Sequence, residues 1–155
     1  MDPTRVYLVR HGKAERDAPG GDAARRLTPE GRARFGALAR ALEKKLRISR
    51  IVTSPLARAR ETAEILSAAT GAPVEEEPEL AAGRSDARRI LELARAAGAG
   101  VALVGHNPEL AEAVQEAAGE EVKVRPGTVA ALDLLARSAQ LAWLEAPERD
   151  GEPAR

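Results

Sequence analysis

A chain of 155 residues is the size of one ordinary domain, long enough to bury roughly 68–70% of its unfolded surface without metal or disulfide support. Its 24 basic and 24 acidic residues cancel and only 2% of residues are aromatic, so nothing global draws it to nucleic acid or a membrane surface, and no stacking platform exists for single-stranded bases. Cysteine is absent, which excludes disulfides, thiolate metal sites and a cysteine nucleophile.

The amino terminus, Met1-Asp2-Pro3-Thr4-Arg5, is polar and lacks the shape of a signal peptide. No apolar run approaches the ~18 residues of a membrane-spanning helix. A cytoplasmic protein is expected, without a membrane or nucleic-acid partner. Residues 5–10 read as a strand: Val6, Tyr7, Leu8 and Val9 are consecutive β-formers, the pattern of a central parallel strand covered on both faces. A polar loop over residues 14–27 follows. Thr28-Pro29-Glu30 then supplies an N-cap, a proline at the first helical position and an early acid, predicting a helix to about Lys45. Its apolar positions, including Phe35, Leu38, Ala39 and Leu42, recur at helical spacing. Residues 49–53 form a second short strand. Ser54-Pro55 repeats the cap-then-proline signal and predicts a helix to about Ala69, closed near Gly71. A brief strand over residues 74–77, a helix over 85–97, a strand over 101–105 and a helix from Asn107-Pro108 to about Ala118 come next. Residues 122–124, 129–135 and 141–144 read as late, hairpin-connected strands. The charged, proline-bearing segment 147–155 is expected to be a flexible tail after one domain over residues 1–146.

Strands alternating with helices imply an α/β/α sandwich of three layers around a mainly parallel sheet, because parallel neighbours need crossover helices. Ligands of such sheets bind outside the carboxyl ends of the strands. The only two histidines, His11 and His106, both fall at such ends, and Arg58 lies about one helical turn after the end of the second strand. Each histidine alone reads equally well as a satisfied polar residue at a strand terminus, and Arg58 alone reads better as one of many arginines, with Arg60 its near neighbour. Together they fit phosphoryl transfer. Phosphoryl oxygens need cationic donors in a fixed fork, which Arg10 and Arg58 supply. A neutral imidazole can attack at pH 7 without a separate base, which suits His11, and neighbouring arginines keep its lone pair available. Helix amino termini at Ser54 and Asn107 would add backbone donors, with Asn107 a further phosphate ligand.

Arg10-His11-Gly12 after the first strand, the segment from Ser54 to Ala63 and Val104-Gly105-His106-Asn107 resemble, in the right order, the motifs of the histidine phosphatase superfamily. The resemblance implies a phosphoglycerate-mutase-like fold with His11 as phosphorylated nucleophile and Arg10, Arg58 and His106 as phosphoryl ligands, without cofactor or metal. It also selects Arg58 over Arg60. Larger members carry a glutamate acid between the second and third motifs; here Ala81 stands near that place, and the acidic run at residues 75–79 reads as a solvated edge. The chain's length and its versions of the motifs resemble the short bacterial branch of phosphohistidine phosphatases. A phosphohistidine protonated at its distal nitrogen leaves as neutral imidazole, so a dedicated acid is less necessary. Glu15, Asp17 and Asp22 are the candidate acids, Glu15 nearest to the motif, and Lys13 could extend a positive rim. The expected function is a metal-independent phosphatase acting through a phosphohistidine intermediate on His11 upon protein phosphohistidine, with a phosphomonoesterase on a small metabolite such as a sugar phosphate or a non-catalytic phosphoprotein-binding module as alternatives.

Overall fold

The computed structural model describes residues 3–149. One six-stranded sheet contains β1 (Thr4–Arg10), β2 (Arg50–Thr53), β3 (Val74–Glu76), β4 (Val101–Gly105), β5 (Val129–Leu134) and β6 (Ala139–Glu145), in the order β3-β2-β4-β1-β5-β6. The β3-β2, β2-β4 and β4-β1 pairings are parallel, whereas β5 runs antiparallel to both β1 and β6. The sheet is therefore mixed, with a parallel half that carries the motifs. Four helices flank it: α1 (Pro29–Leu42), α2 (Ala57–Thr70), α3 (Ala87–Ala97) and α4 (Glu109–Ala118). Among the described residues no helix is long and apolar enough to cross a membrane.

Alternation along β1 fixes the layers. Val6 and Leu8 pack with Ile90 and Ala94 of α3 and Leu110, Ala113 and Val114 of α4. Tyr7 and Val9 pack with Phe35 and Ala39 of α1 and Ala59, Ala63 and Leu66 of α2. Successive strand side chains point to opposite faces, so an unbroken apolar run requires cover on both. The result is the expected three-layer sandwich, its sheet parallel from β3 to β1 and antiparallel from β1 to β6. Burying each large aliphatic contributes about 1.5–3 kcal/mol.

Local chemistry sets the element ends, sometimes not where the pattern placed them. Thr28 caps α1 as read, its hydroxyl accepting from the Gly31 N–H. The helix ends at Leu42, whose carbonyl accepts from both the Lys45 N–H, in a tighter turn, and the Leu46 N–H. Ser54 does not open α2. Its Oγ accepts from the Leu56 N–H, and the helix starts only at Ala57. Residues 122–124 form no strand but an irregular segment that has another task, described below. Of the expected tail, residues 150–155 lie outside the described residues; Pro147 is held through its carbonyl by Arg125, and Glu148 by Arg34.

Gly31 is a contact point between α1 and the loop after β1. A Cβ built there would lie 2.2 Å from the Lys13 carbonyl oxygen, a backbone atom that cannot swing aside. Gly31→Ala is therefore expected to push α1 off the loop and cost about 1–3 kcal/mol, an overpacking penalty measurable as a lowered urea midpoint.

Candidate active site

β1 and β4 are parallel neighbours paired Arg10 to Gly105, so the residues that follow them, His11 and His106, emerge side by side. Their ring centroids are 5.1 Å apart. Arg58 enters from the first turn of α2 and is 4% exposed; His11 and His106 are 8% and 3% exposed. The structure thus gathers four residues from three separated motifs at one rim of the sheet.

Backbone contacts lock the loop that carries His11. The His11 N–H donates to the Gly105 carbonyl, and the Gly12 N–H donates to Thr62 Oγ1, whose hydroxyl in turn donates to the Arg58 carbonyl. The Gly127 N–H is shared between the Arg10 and His11 carbonyls. Gly127 has φ 82°, and a Cβ there would meet Pro147 Cγ at 2.6 Å, so only glycine supplies that donor in that place.

The tautomers follow from partner chemistry. His11 Nδ1 lies 2.7 Å from the Gly12 carbonyl, which can only accept, so Nδ1 carries the proton and Nε2 the lone pair. His106 Nε2 lies 2.7 Å from Ser54 Oγ. Ser54 is fully buried, and donation of its hydroxyl proton to Nε2 satisfies it, which puts a proton on His106 Nδ1. That Nδ1 is buried and has no partner, as are Arg10 Nε and Arg58 Nε. Orphaned buried donors are costly unless a ligand completes them. Three such nitrogens on the side chains around two neighbouring imidazoles form a donor set suited to an anion, a candidate cradle.

Electrostatics keep both rings neutral. Burial pushes His11 down to about 3, aided by His106, Arg10 and Arg58 and opposed by the Gly12 carbonyl. Burial likewise pushes His106 down to about 4, with Arg58 next; Asp22 opposes it, and Arg10 and Arg25 add to it. Arg10 is itself lowered, first by burial and then by Arg58. The cations are close enough to feel one another, which favours an anion between them.

The other sequence candidates sit differently. Asn107 is turned to local work: its Nδ2 donates to the Val124 carbonyl and its Oδ1 accepts from the Ala111 N–H, so its side chain steadies the start of α4 instead of facing the cradle. Glu15 folds back on its own loop, Oε1 accepting from the Arg26 N–H. Asp17 is exposed. Ala81 ends a short 3-10 turn and brings no carboxylate. Nearby acids are used locally: Glu75 pairs with Arg50, Glu77 bonds the Glu79 N–H, and Glu79 pairs with Arg89. Arg60 is exposed. Lys13 pairs with Glu30 at 3.6 Å. The sequence reading missed the Ser54 link to His106, Arg25, and the segment 122–124, whose Val124 carbonyl accepts from both Arg10 Nη1 and Asn107. Of the loop acids, Asp22 is the one bonded to Arg58.

The family model of the histidine phosphatase superfamily (branch 1) matches residues 6–125, which include Arg10, His11, Arg58 and His106. The chain belongs to the histidine phosphatase superfamily. It is a phosphatase of that family. An uncharacterised protein of Picosynechococcus sp. is 39% identical over 116 residues, 69% of this chain and 68% of that protein. A crystal structure from Agrobacterium tumefaciens, described as the "putative phosphohistidine phosphatase SixA", is 30% identical with a TM-score of 0.81, over 94% of this chain and 99% of that one. The protein histidine phosphatase SixA complexed with tungstate is 26% identical with a TM-score of 0.79, over 92% and 96%.

Proposed function

We propose that this protein is a metal-independent phosphatase that works through phospho-His11 and that its substrate is a protein phosphohistidine. The observation that carries the reading is the cradle: Arg10 Nε, Arg58 Nε and His106 Nδ1 lie buried without partners beside a His11 whose Nε2 lone pair is free of a proton. In the first step Nε2 attacks phosphorus and the bond from phosphorus to the substrate nitrogen breaks, its electron pair staying on the leaving imidazole. Phospho-His11 keeps its Nδ1 proton on the Gly12 carbonyl, so its ring is cationic and departs readily as neutral imidazole. Water then attacks phosphorus, the bond to Nε2 breaks, and the water's proton leaves with inorganic phosphate. The two guanidinium groups and His106 stabilise the equatorial oxygens throughout.

The substrate class rests on leaving-group chemistry and on likeness. No carboxylate stands at Ala81, and a substrate imidazole protonated at its far nitrogen leaves without an enzymic acid, whereas an alkoxide needs one. The two SixA structures, at 30% and 26% identity, carry phosphohistidine or protein histidine in their descriptions, whereas a phosphoserine phosphatase and a glucosyl-3-phosphoglycerate phosphatase, below 25% identity, share only the fold.

Brief exposure of the protein to 4-nitrophenyl phosphate in EDTA is expected to leave acid-labile, base-stable phosphate that maps to His11. Rates on a phosphohistidine protein should exceed those on a panel of sugar phosphates. Label on any other residue would overturn the mechanism, and a faster sugar phosphate would overturn the substrate.

A further inference from the structure

Arg58 has five N–H donors, and the loop after β1 takes two of them. Its Nη1 donates to the Asp22 carbonyl at 2.8 Å and its Nη2 to Asp22 Oδ2 at 3.1 Å. Arg58 Nε is buried and keeps no partner, so it is a donor that a bound anion would satisfy. Arg10 is built the same way, with Nη1 on the Val124 carbonyl and Nε unpartnered. Each guanidinium is thus held by a loop through terminal nitrogens while its Nε keeps an unused donor. The two grips differ in one respect. Val124 offers only backbone, which any residue could supply, whereas Asp22 adds a carboxylate.

That carboxylate is itself fixed. Its other oxygen, Oδ1, accepts from Arg25 Nη1 at 2.9 Å, while Arg25 Nε donates to the Glu15 carbonyl. Glu61 of α2 holds the far end of the same loop, accepting from the Leu27 N–H, Arg26 and Arg32. Asp22 is 61% exposed, yet it reaches an arginine that is almost fully buried. Bonds to Arg25 and Arg58 hold its carboxyl below the usual range, so it is ionised at neutral pH and cannot serve as a resting general acid.

We infer that Asp22, clamped between Arg25 and Arg58, is a positioning residue that aims the Nε edge of Arg58 at the transferring phosphoryl group. The inference rests on the cradle being a phosphoryl site. Arg58 keeps both grips when the anion arrives, because Asp22 uses donors of its terminal nitrogens and leaves Nε and the remaining N–H groups for a fork onto two phosphoryl oxygens. A guanidinium released from Asp22 would still carry its charge but not its aim, and misplacement of about 1 Å costs on the order of 10²-fold in rate.

The test uses the full chain with 4-nitrophenyl phosphate as substrate and orthovanadate as a probe of the cradle, in the wild type, Asp22→Ala and Asp22→Asn. Asp22→Ala is expected to lower kcat by ~10²-fold with a smaller change in KM, and to weaken vanadate, while its thermal midpoint stays near that of the wild type. Asp22→Asn should recover part of both losses, because its carbonyl oxygen still accepts from Arg58 Nη2. Unchanged kcat, or vanadate bound more tightly by Asp22→Ala, would overturn the inference and make Asp22 a solvated acid or a resident competitor of the anion. A wild type that neither binds vanadate nor turns over substrate would instead bring down the phosphatase reading on which the inference stands.

Discussion

His11→Asn is expected to lower kcat by at least ~10³-fold on every phosphorylated substrate and to abolish the trapped phosphoenzyme. Asparagine can preserve the hydrogen bond to the Gly12 carbonyl through its amide, so the loop need not move, but it has no basic lone pair to bring to phosphorus. Arg10 Nε, Arg58 Nε and His106 Nδ1 remain in place. Orthophosphate binding should therefore survive within about tenfold while turnover disappears, since most of the anion's charge compensation comes from the two arginines. Rate assays over the uncatalysed background, paired with calorimetric titration of orthophosphate, separate the two effects. Residual turnover near the wild-type rate would mean that another group attacks phosphorus and that His11 only lines the site.

The sequence makes the centre of the fold and the cradle readable for one reason: both obey local rules. Val6 to Val9 is apolar without interruption because α1 and α2 cover one face of β1 and α3 and α4 the other. The histidines could be placed because a parallel pairing puts the residues after β1 and β4 side by side. Choosing Arg58 over Arg60 needed more than spacing, and the fold supplies the reason: α2 turns Arg58, Ala59, Thr62 and Ala63 inward and leaves Arg60 outside. Contacts between distant segments were not readable. Val122-Lys123-Val124 alternates like a strand, yet its backbone is taken by Arg10 and Asn107 instead of by a neighbouring strand. Ser54 and Asn107 carry good capping side chains, but both helices begin later, at Ala57 and Glu109. Ser54 is drawn instead to His106, fifty-two positions away, and Asp22 to Arg58 across thirty-six. Local pattern carries no information about such pairs.

Lowering the pH from 7 to 4 is expected to destabilise the fold by roughly 6 kcal/mol through the two histidines, which set most of the slope. In the native state they sit at about 3 and about 4, against about 6.5 in an unfolded chain. Both folded values are depressed for a basic group, so the unfolded state binds protons that the native state refuses. Stability is full above about 6.5 and falls as the pH drops, by up to ~1.4 kcal/mol per pH unit for each ring until its native value is reached. His106 stops contributing near 4 and His11 near 3. Carboxylates held low in the fold, Asp22 by Arg25 and Arg58 and Glu61, against its burial, by the Leu27 N–H together with Arg26 and Arg32, add their own loss only at the acid end of this window. Urea unfolding at pH 7, 5.5 and 4.5 measures the slope, and His11→Asn should cut it by about half. Saturating orthophosphate should flatten it as well, because an anion between Arg10 and Arg58 favours protonation of both rings and lets the native state take up the same protons. A wild-type stability that stays level between pH 6.5 and 4.5 would mean that the imidazoles titrate normally and that the burial argued for the cradle is wrong. The acid sensitivity and the readiness of His11 to attack have a common origin, since the desolvation that refuses a proton to Nε2 is what leaves its lone pair for phosphorus.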